Sequence, residues 1–370
     1  MIHAIKIAES MAQVLFEMPE RSFGEYKTTE IIRQFLTEHN IRLIDLGMPT
    51  GVLAYLDAGC DTTVALRADI DAVDTEGGPM HLCGHNYHAA ALLGAADMLT
   101  RIRDELPCNV LFIFQPAEET TDGAKAMLEH GMMELIPHLP TRLFGIHNRP
   151  EIPVGRIAVH RGALMARKTN FSLTYTGKTG HGGTPQLCRD PITAAAQFIT
   201  AVQTVISRSV DPFEASVFSV CSIHAGTEDN LAPERTVMTG SARSLDDSVH
   251  EILLNRAESI AKATAEGMGV SCQLEWLPQV PAVVNSDEIT ELARTAAALT
   301  VGVENVTDTL PCLGSEDFAV FGEHIPSFFY WVGSGKQDGT SASWHIPTFC
   351  VESGYLDVAV PLLVNSVLVR

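Results

Sequence analysis

Three short apolar runs, Thr63–Arg67, Val110–Phe114 and Arg142–Ile146, alternate with segments of helical period, and each leads directly into polar residues. Runs whose apolar residues are consecutive, rather than at every second position, must be covered on both faces. The pattern therefore calls for an α/β fold, a sheet with helices on both sides. The polar residues that follow the runs are Ala68-Asp69-Ile70-Asp71, Gln115-Pro116-Ala117-Glu118-Glu119 and His147. Ligands of open α/β sheets bind outside the carboxyl ends of the strands, so these groups are placed to converge there.

A chain of 370 residues exceeds the size at which one core usually stops growing, and its pattern changes partway along. From about Lys168 to Pro278 the order becomes strand, helix, strand, strand, helix, strand: TNFSLTYTG, PITAAAQFITAVQTVI, EASVFSVCSI, RTVMTGSAR, SVHEILLNRAESIAKATA and VSCQLEW. That order belongs to a ferredoxin-like α+β sandwich. The expected organisation is a discontinuous domain, 1–166 and 279–370, interrupted by a smaller one at 167–278. After Pro278 come a helix in EITELARTAAALTV, a strand in SFFYWVG and a final apolar helix through VAVPLLVNSVLV.

Charge narrows the partners. The formal net charge is −20, from 25 Lys and Arg against 45 Asp and Glu. Phosphate backbones are bound by clustered basic side chains, so nucleic acid is not an expected partner. The start, MIHAIKIAESMAQVLFE, has helical spacing and lacks the unbroken apolar run of a membrane span or signal peptide, which makes the cytoplasm the expected location. Eight cysteines lie scattered without paired spacing, unlike a disulfide framework, and most are expected to be reduced core thiols.

Cys83 is the exception. Met80-His81-Leu82-Cys83-Gly84-His85-Asn86-Tyr87-His88 opens an Ala- and Leu-rich helix and holds four transition-metal ligands within eight residues. Thiol and imidazole suit zinc, and imidazole with carboxylate also suits manganese, nickel or cobalt. The competing reading is a capped helix start with a buried thiol. Adjacent glutamates such as Glu118 and Glu119 are ordinarily a solvated pair. At the end of a core strand they can divide two tasks, one coordinating a metal and the other taking a proton from water. His147 and His345, each unremarkable alone, join Cys83, His85 and Glu119 in a five-residue donor set large enough for two ions.

These residues resemble the aminoacylase, carboxypeptidase G and hippurate hydrolase group of metallopeptidases, in particular the amidohydrolase branch that includes auxin-conjugate hydrolases. The resemblance runs through TGVLAYLDAG, ALRADIDAV, MHLCGHNYHAAALLGAA, IFQPAEE, GAKAML, GIHNRPEIPVG, YTGKTGHGGTP, DPITAAAQFITAVQTVISRSVDP, GSEDFAVF and WHIPTF, nearly the whole chain. It implies a zinc-peptidase-like catalytic domain with helices on both faces of a mixed sheet, interrupted by a ferredoxin-like lid and dimerisation domain. It further implies hydrolysis of the amide bond of N-acyl amino acids or related conjugates, small-molecule substrates, by a homodimer. By position it makes Cys83, His85, Glu119, His147 and His345 the ligands of two divalent ions and Glu118 the general base. Asp69 becomes a carboxylate that orients the ligands. His181, in Gly180-His181-Gly182-Gly183, becomes an oxyanion donor reaching the active site from the small domain, in relatives often from the partner subunit. Asn230 and Arg243 correspond to substrate-binding positions, and Ser315, Glu316 and Asp317 to supporting structure.

The sequence also departs from the family pattern. Asn86 stands where CGHD has aspartate, so a charge beside the metal ligands is expected to be missing, and Tyr87 replaces a small residue. Only Asp74-Thr75-Glu76-Gly77-Gly78-Pro79 separates Val73 from MHLCGH, a shorter loop than is usual. Asn86 lends support to a second reading, a family member that binds an acyl amino acid or serves an assembly role without turnover. Glu118 and the complete donor set favour the enzyme. A thiol redox protein centred on Cys83 lacks a nearby resolving cysteine.

Overall fold

Every residue of the strands Thr63–Asp69 and Asn109–Gln115 is buried, as the uninterrupted apolar runs require. The computed structural model describes residues 1–370. The two strands are parallel, and Thr63–Asp69 also runs parallel to Pro140–Pro153 on its other side. They form the middle of an eight-stranded mixed sheet. Its order is Arg42–Ile44, Val52–Leu56, Asn109–Gln115, Thr63–Asp69, Pro140–Pro153, Ser327–Gly335, Ile157–Ala158, Val306–Thr307. Val52–Leu56 runs antiparallel to Asn109–Gln115, which makes the sheet mixed. Each central strand extends past its apolar run to include the polar residue behind it: Asp69 pairs with Gln115, and His147 pairs with Trp331 of the next strand.

The helices Ile2–Phe16, His85–Arg101, Asp287–Val301 and Tyr355–Leu368 contribute to one core with these strands. Small side chains make this packing close. Ala4, Ala8 and Ala12 recur every fourth position along the first helix, forming one stripe, and all three are buried. In His85–Arg101, Ala89, Ala90, Ala91, Ala95 and Ala96 are fully buried. No helix of the chain is long and apolar enough to cross a membrane.

The chain packs into two compact units. The larger comprises Met1–Leu164, Val284–Leu310 and Asp317–Arg370, and the smaller comprises Met165–Val283 with Pro311–Glu316. The boundaries expected from the sequence, 166/167 and 278/279, leave all of 279–370 in the larger domain, whereas Pro311–Glu316 packs with the smaller unit. One backbone bond responsible runs from Ala166 N to Gly314 O.

In the smaller unit the element order is Arg167–Thr176, helix Pro191–Ser209, Ser216–Ala225, Arg235–Ser244, helix Asp247–Met268, Ser271–Val280. The four strands form an antiparallel sheet in which the first and third are central, the order of a ferredoxin-like sandwich. Its own core includes Phe171, Leu173, Tyr175, Phe198, Leu253 and Met238. Asp190 and Asp246 cap the two helices: the Asp190 side chain accepts from Ile192 N, and that of Asp246 from Ser248 N and Val249 N.

Candidate metal centre

The polar strand ends and the start of the helix His85–Arg101 meet in the larger unit. Gly84 turns the chain into that helix at φ 90°, and a Cβ there would lie 2.5 Å from Asn148 Nδ2. Glycine is thus required by both the turn and the neighbour. Three overlapping groups have donor atoms all within 4.8 Å of one another: Asp69, His85, His88 and His147; Cys83, Glu119 and His345; His85, Glu118 and Glu119. All five donors expected from the sequence, with Glu118, lie in these groups.

Hydrogen bonds decide which atom each imidazole presents. His85 Nδ1 lies 3.1 Å from both the carbonyl and Oδ1 of Asp71, so it carries the hydrogen and leaves Nε2 with a lone pair. His147 Nδ1 donates to Asn148 O at 2.8 Å, which turns its Nε2 lone pair toward Cys83 Sγ, 3.5 Å away. His345, at φ 62°, is tied by its amide to Leu82 O and brings Nε2 within 3.6 Å of Glu119 Oε1.

His88 behaves differently. Its Nε2 accepts from Asn148 N at 3.0 Å, so Nδ1 donates to Asp69 Oδ1 at 2.7 Å. Both nitrogens are engaged, and His88 braces the site rather than offering a ligand.

The electrostatics call for a cation. Burial opposes charge on His85, but Asp69, Cys83 and Asp71 together outweigh it and raise the pKa well above the usual imidazole value, so positive charge is favoured at this position. Burial pushes the Cys83 thiol and the Glu119 carboxyl up, and it holds His147 well below the usual imidazole range. His85 Nε2 and Glu119 Oε1 are buried, lack any hydrogen-bond partner and lie 3.7 Å apart. Buried polar atoms are nearly always satisfied, so two unbonded ones facing each other, one a lone-pair nitrogen and one a carboxylate oxygen, fit a divalent ion. A neutral imidazole at His147, the Cys83 thiol and His345 complete a five-residue donor set whose chemistry fits a divalent ion.

Beneath the donors, Arg67 is fully buried. It donates to Gln115 Oε1 at 2.8 Å, Asp69 Oδ2 at 3.0 Å and Asp317 Oδ1 at 3.4 Å. Burial works against the Asp69 charge, yet His85, His88 and Arg67 prevail and hold its pKa well below the ordinary value. Asp69 therefore serves His88 and Arg67, while the carboxylate bonded to His85 Nδ1 belongs to Asp71. Asp71 Oδ2 also accepts Glu119 N at 3.0 Å and Ser22 Oγ at 2.7 Å. Asn148 is a second unanticipated contributor. Its side chain donates to Cys83 O and His88 Nε2 and accepts from Trp344 Nε1 and Ser334 Oγ.

The departures from the family pattern take concrete form. Asn86 is buried and donates to Ala12 O at 3.2 Å, which ties the ligand-bearing helix to the first helix. The shortened loop is a hairpin, Val73–Thr75 against Gly78–Met80, closed by Thr75 Oγ1 donating to Gly78 O. Tyr87 meets Tyr355 edge to face, and both line a cavity of about 390 Å³ with Phe16, Gln13 and Leu356, none of them a metal donor. Of the eight cysteines, all free, Cys83, Cys108 and Cys188 are buried while Cys221 and Cys350 are exposed, so most are not core thiols.

In the smaller unit, His181 and Asn230 are neighbours. Gly180–His181 pairs with Leu231–Ala232, and Gly182 N donates to Asn230 O. His181 is exposed, and its Nδ1 accepts Gly183 N at 3.0 Å, so its neutral form carries the hydrogen on Nε2. Arg243 lies in the strand Arg235–Ser244 and donates to Leu313 O at 2.8 Å.

A buried thiol, imidazole and carboxylate centre at the carboxyl ends of a mixed sheet, with a further glutamate beside it, defines a metal-dependent hydrolase. The chain belongs to peptidase family M20/M25/M40, whose pattern matches residues 65–361, and it is accordingly an enzyme that hydrolyses carbon–nitrogen amide bonds. It is 37% identical over 364 residues to an N-acetylcysteine deacetylase of Bacillus subtilis, covering 95% of this chain and 93% of that one. It is 31% identical over 367 residues to the IAA-amino acid hydrolase ILR1-like 5 of Arabidopsis thaliana, covering 95% and 83%. The crystal structure of a dinuclear metal-binding peptidase of the M20 family from Bacillus subtilis is similar with a TM-score of 0.85 and 32% identity, covering 100% of this chain and 98% of that one.

Proposed function

We propose that this chain cleaves the amide bond of N-acyl amino acids or closely related conjugates, with two divalent ions held by Cys83, His85, Glu119, His147 and His345. The observation that carries the reading is the buried pair of unbonded atoms, His85 Nε2 and Glu119 Oε1, with Glu118 Oε2 3.9 Å from the same nitrogen. The named activities of two relatives, on N-acetylcysteine and on IAA-amino acids, support the substrate class. Zinc and manganese are the ions to load first, nickel and cobalt next.

Divalent ions bound there supply Lewis acidity, which acidifies water and polarises the scissile carbonyl. The chain's own residues do the rest. Glu118 takes the proton of the attacking water and returns it to the departing nitrogen. Asp71 holds His85 in the tautomer that presents Nε2, and Asp69 acts through His88 and Arg67. Asn86 fixes the helix that begins at His85. His181, with its hydrogen on Nε2, donates to the oxyanion across a homodimer, while Asn230 and Arg243 receive the substrate, the guanidinium facing its carboxylate. The smaller unit serves as lid and dimer contact. The eight free thiols support a reducing compartment, the cytoplasm.

The test is metal analysis of protein purified without chelator, paired with hydrolysis of acetyl, benzoyl, aminobenzoyl and indole-acetyl amino acids. The expected result is about two ions per chain and activity lost on stripping and regained with zinc or manganese. Full activity in the stripped protein contradicts the reading.

A further inference from the structure

The segment that carries Glu118 and Glu119 is bent in a way its sequence does not favour. Ala117 has φ 54° and Thr121 has φ 60°, so non-glycine residues in the left-handed region stand on both sides of the glutamate pair. Such conformations persist where the surroundings hold them. Three buried carboxylates do so by accepting backbone amides. Asp71 accepts Glu119 N at 3.0 Å, Asp317 accepts Ala124 N at 2.9 Å, and Glu25 Oε1 accepts Ala117 N at 2.8 Å. Gly123 completes the bend, because a Cβ there would fall 1.6 Å from Pro116 O.

Asp71 and Asp317 belong to the network already described, whereas Glu25 comes from the N-terminal part of the chain and touches none of the proposed donors. It is completely buried, and the same Oε1 also accepts Phe23 N at 3.0 Å. Phe23 too has a left-handed backbone, φ 58°. One carboxylate oxygen thus fixes two strained residues, one beside it in sequence and one next to Glu118. Burial pushes this carboxyl up to about 7, against the amides that favour its charge.

We infer that Glu25 is a positioning residue of the reaction: by accepting the amide of Ala117 it holds the backbone from which Glu118 and Glu119 project. This rests on the reading of Glu118 as base and Glu119 as ligand. It requires that losing the acceptor loosen the segment and slow turnover without weakening substrate binding to the same degree. It also requires that glycine at 117, which adopts positive φ without strain, make the acceptor dispensable.

The experiment uses enzyme loaded with manganese or zinc. Glu25→Ala is expected to lower kcat about tenfold or more with KM within about threefold, since small misplacements of catalytic groups act mainly on turnover. Backbone amide exchange over Ala117–Thr121 rises in the same variant. Glu25→Gln, which retains an acceptor oxygen, keeps at least about a third of kcat, and Ala117→Gly added to Glu25→Ala restores kcat to within about threefold of Ala117→Gly alone. Glu25→Asp, which withdraws the carboxylate by one methylene, shows the same loss and decides the matter where Glu25→Ala does not fold. Wild-type kcat and exchange in Glu25→Asp, or a loss that Ala117→Gly does not relieve, overturns the inference. A fully active Glu118→Ala enzyme overturns the base assignment instead, and the exchange measurement distinguishes the two failures.

Discussion

His85 Nε2 and Glu119 Oε1 face each other across 3.7 Å in the buried centre of the larger unit, and neither has a hydrogen-bond partner. Contacts behind these two atoms prepare that meeting. Asp71 does most of it, since its Oδ1 fixes the tautomer of His85 and its Oδ2 holds the backbone of Glu119.

Asp71→Asn tests that double duty. An amide has a single acceptor oxygen and cannot take a hydrogen from both His85 Nδ1 and Glu119 N, although the Asp71 carbonyl still reaches His85. The variant should lose about 10- to 100-fold in metal affinity or kcat/KM, the usual cost of removing a group that orients a ligand. Metal titration of the stripped protein checks this, and affinity and activity equal to wild type would refute it.

Arg67 is the one buried cation among Asp69, Asp317 and Gln115. Arg67→Leu leaves two carboxylates buried with fewer partners, and breaking such a pair from one side costs about 3–5 kcal/mol. Urea denaturation should register that loss, and a change below about 1 kcal/mol contradicts the role given to the network.

How far the sequence revealed this centre depended on the type of signal. The three buried strands were visible as apolar runs, because strands covered on both faces leave no polar alternation. The ferredoxin-like unit was visible in element order alone. Asp71 and His88 lay within the quoted motifs; helical spacing puts His88, three residues on, on the face of His85, whereas Asp71 lies beyond the strand that ends at Asp69 and has no such signal. What spacing could not supply was the partner of each nitrogen. That depends on Asn148, brought from a different strand, and His88 became a brace because Asn148 N occupies its Nε2. The partner of Asn86 was hidden for a related reason. Adjacent helix residues point about 100° apart, and its amide meets Ala12 rather than the donors. Nothing in composition marks Pro311–Glu316 for the smaller unit, since the segment attaches through its own backbone carbonyls, Gly314 O accepting Ala166 N and Leu313 O accepting the Arg243 guanidinium.

The smaller unit carries its own pH dependence. Thr169 Oγ1 lies 2.7 Å from His250 Nε2, and Ser244 Oγ lies 2.9 Å from Nδ1 while donating onward to Asp246 O. Burial pushes His250 down to about 4 from an ordinary value of 6.5, with Arg167 adding to the fall. Between these values the unfolded chain binds a proton that the folded unit does not, so His250 withdraws stability as pH drops from about 6.5 toward 4. The melting-temperature gap between wild type and His250→Gln should narrow over that interval. A gap independent of pH counts against it.

His181 makes a claim about assembly. Inactive His181→Ala and Glu118→Ala proteins, mixed under conditions in which subunits exchange, should recover activity, because some active sites then combine both intact residues. No recovery despite demonstrated exchange rules out action across subunits.

The central claim is amide hydrolysis in which Glu118 moves the proton. Its most direct measurement is kcat for an N-acetyl amino acid with wild type and Glu118→Ala, both loaded with the same ion and both matched in bound metal. The account predicts a wild-type enzyme that turns over and a variant that binds metal equally but loses about 10²-fold or more in kcat, the scale of a general base. Equal rates in the two proteins, whether both active or both inactive, would contradict it.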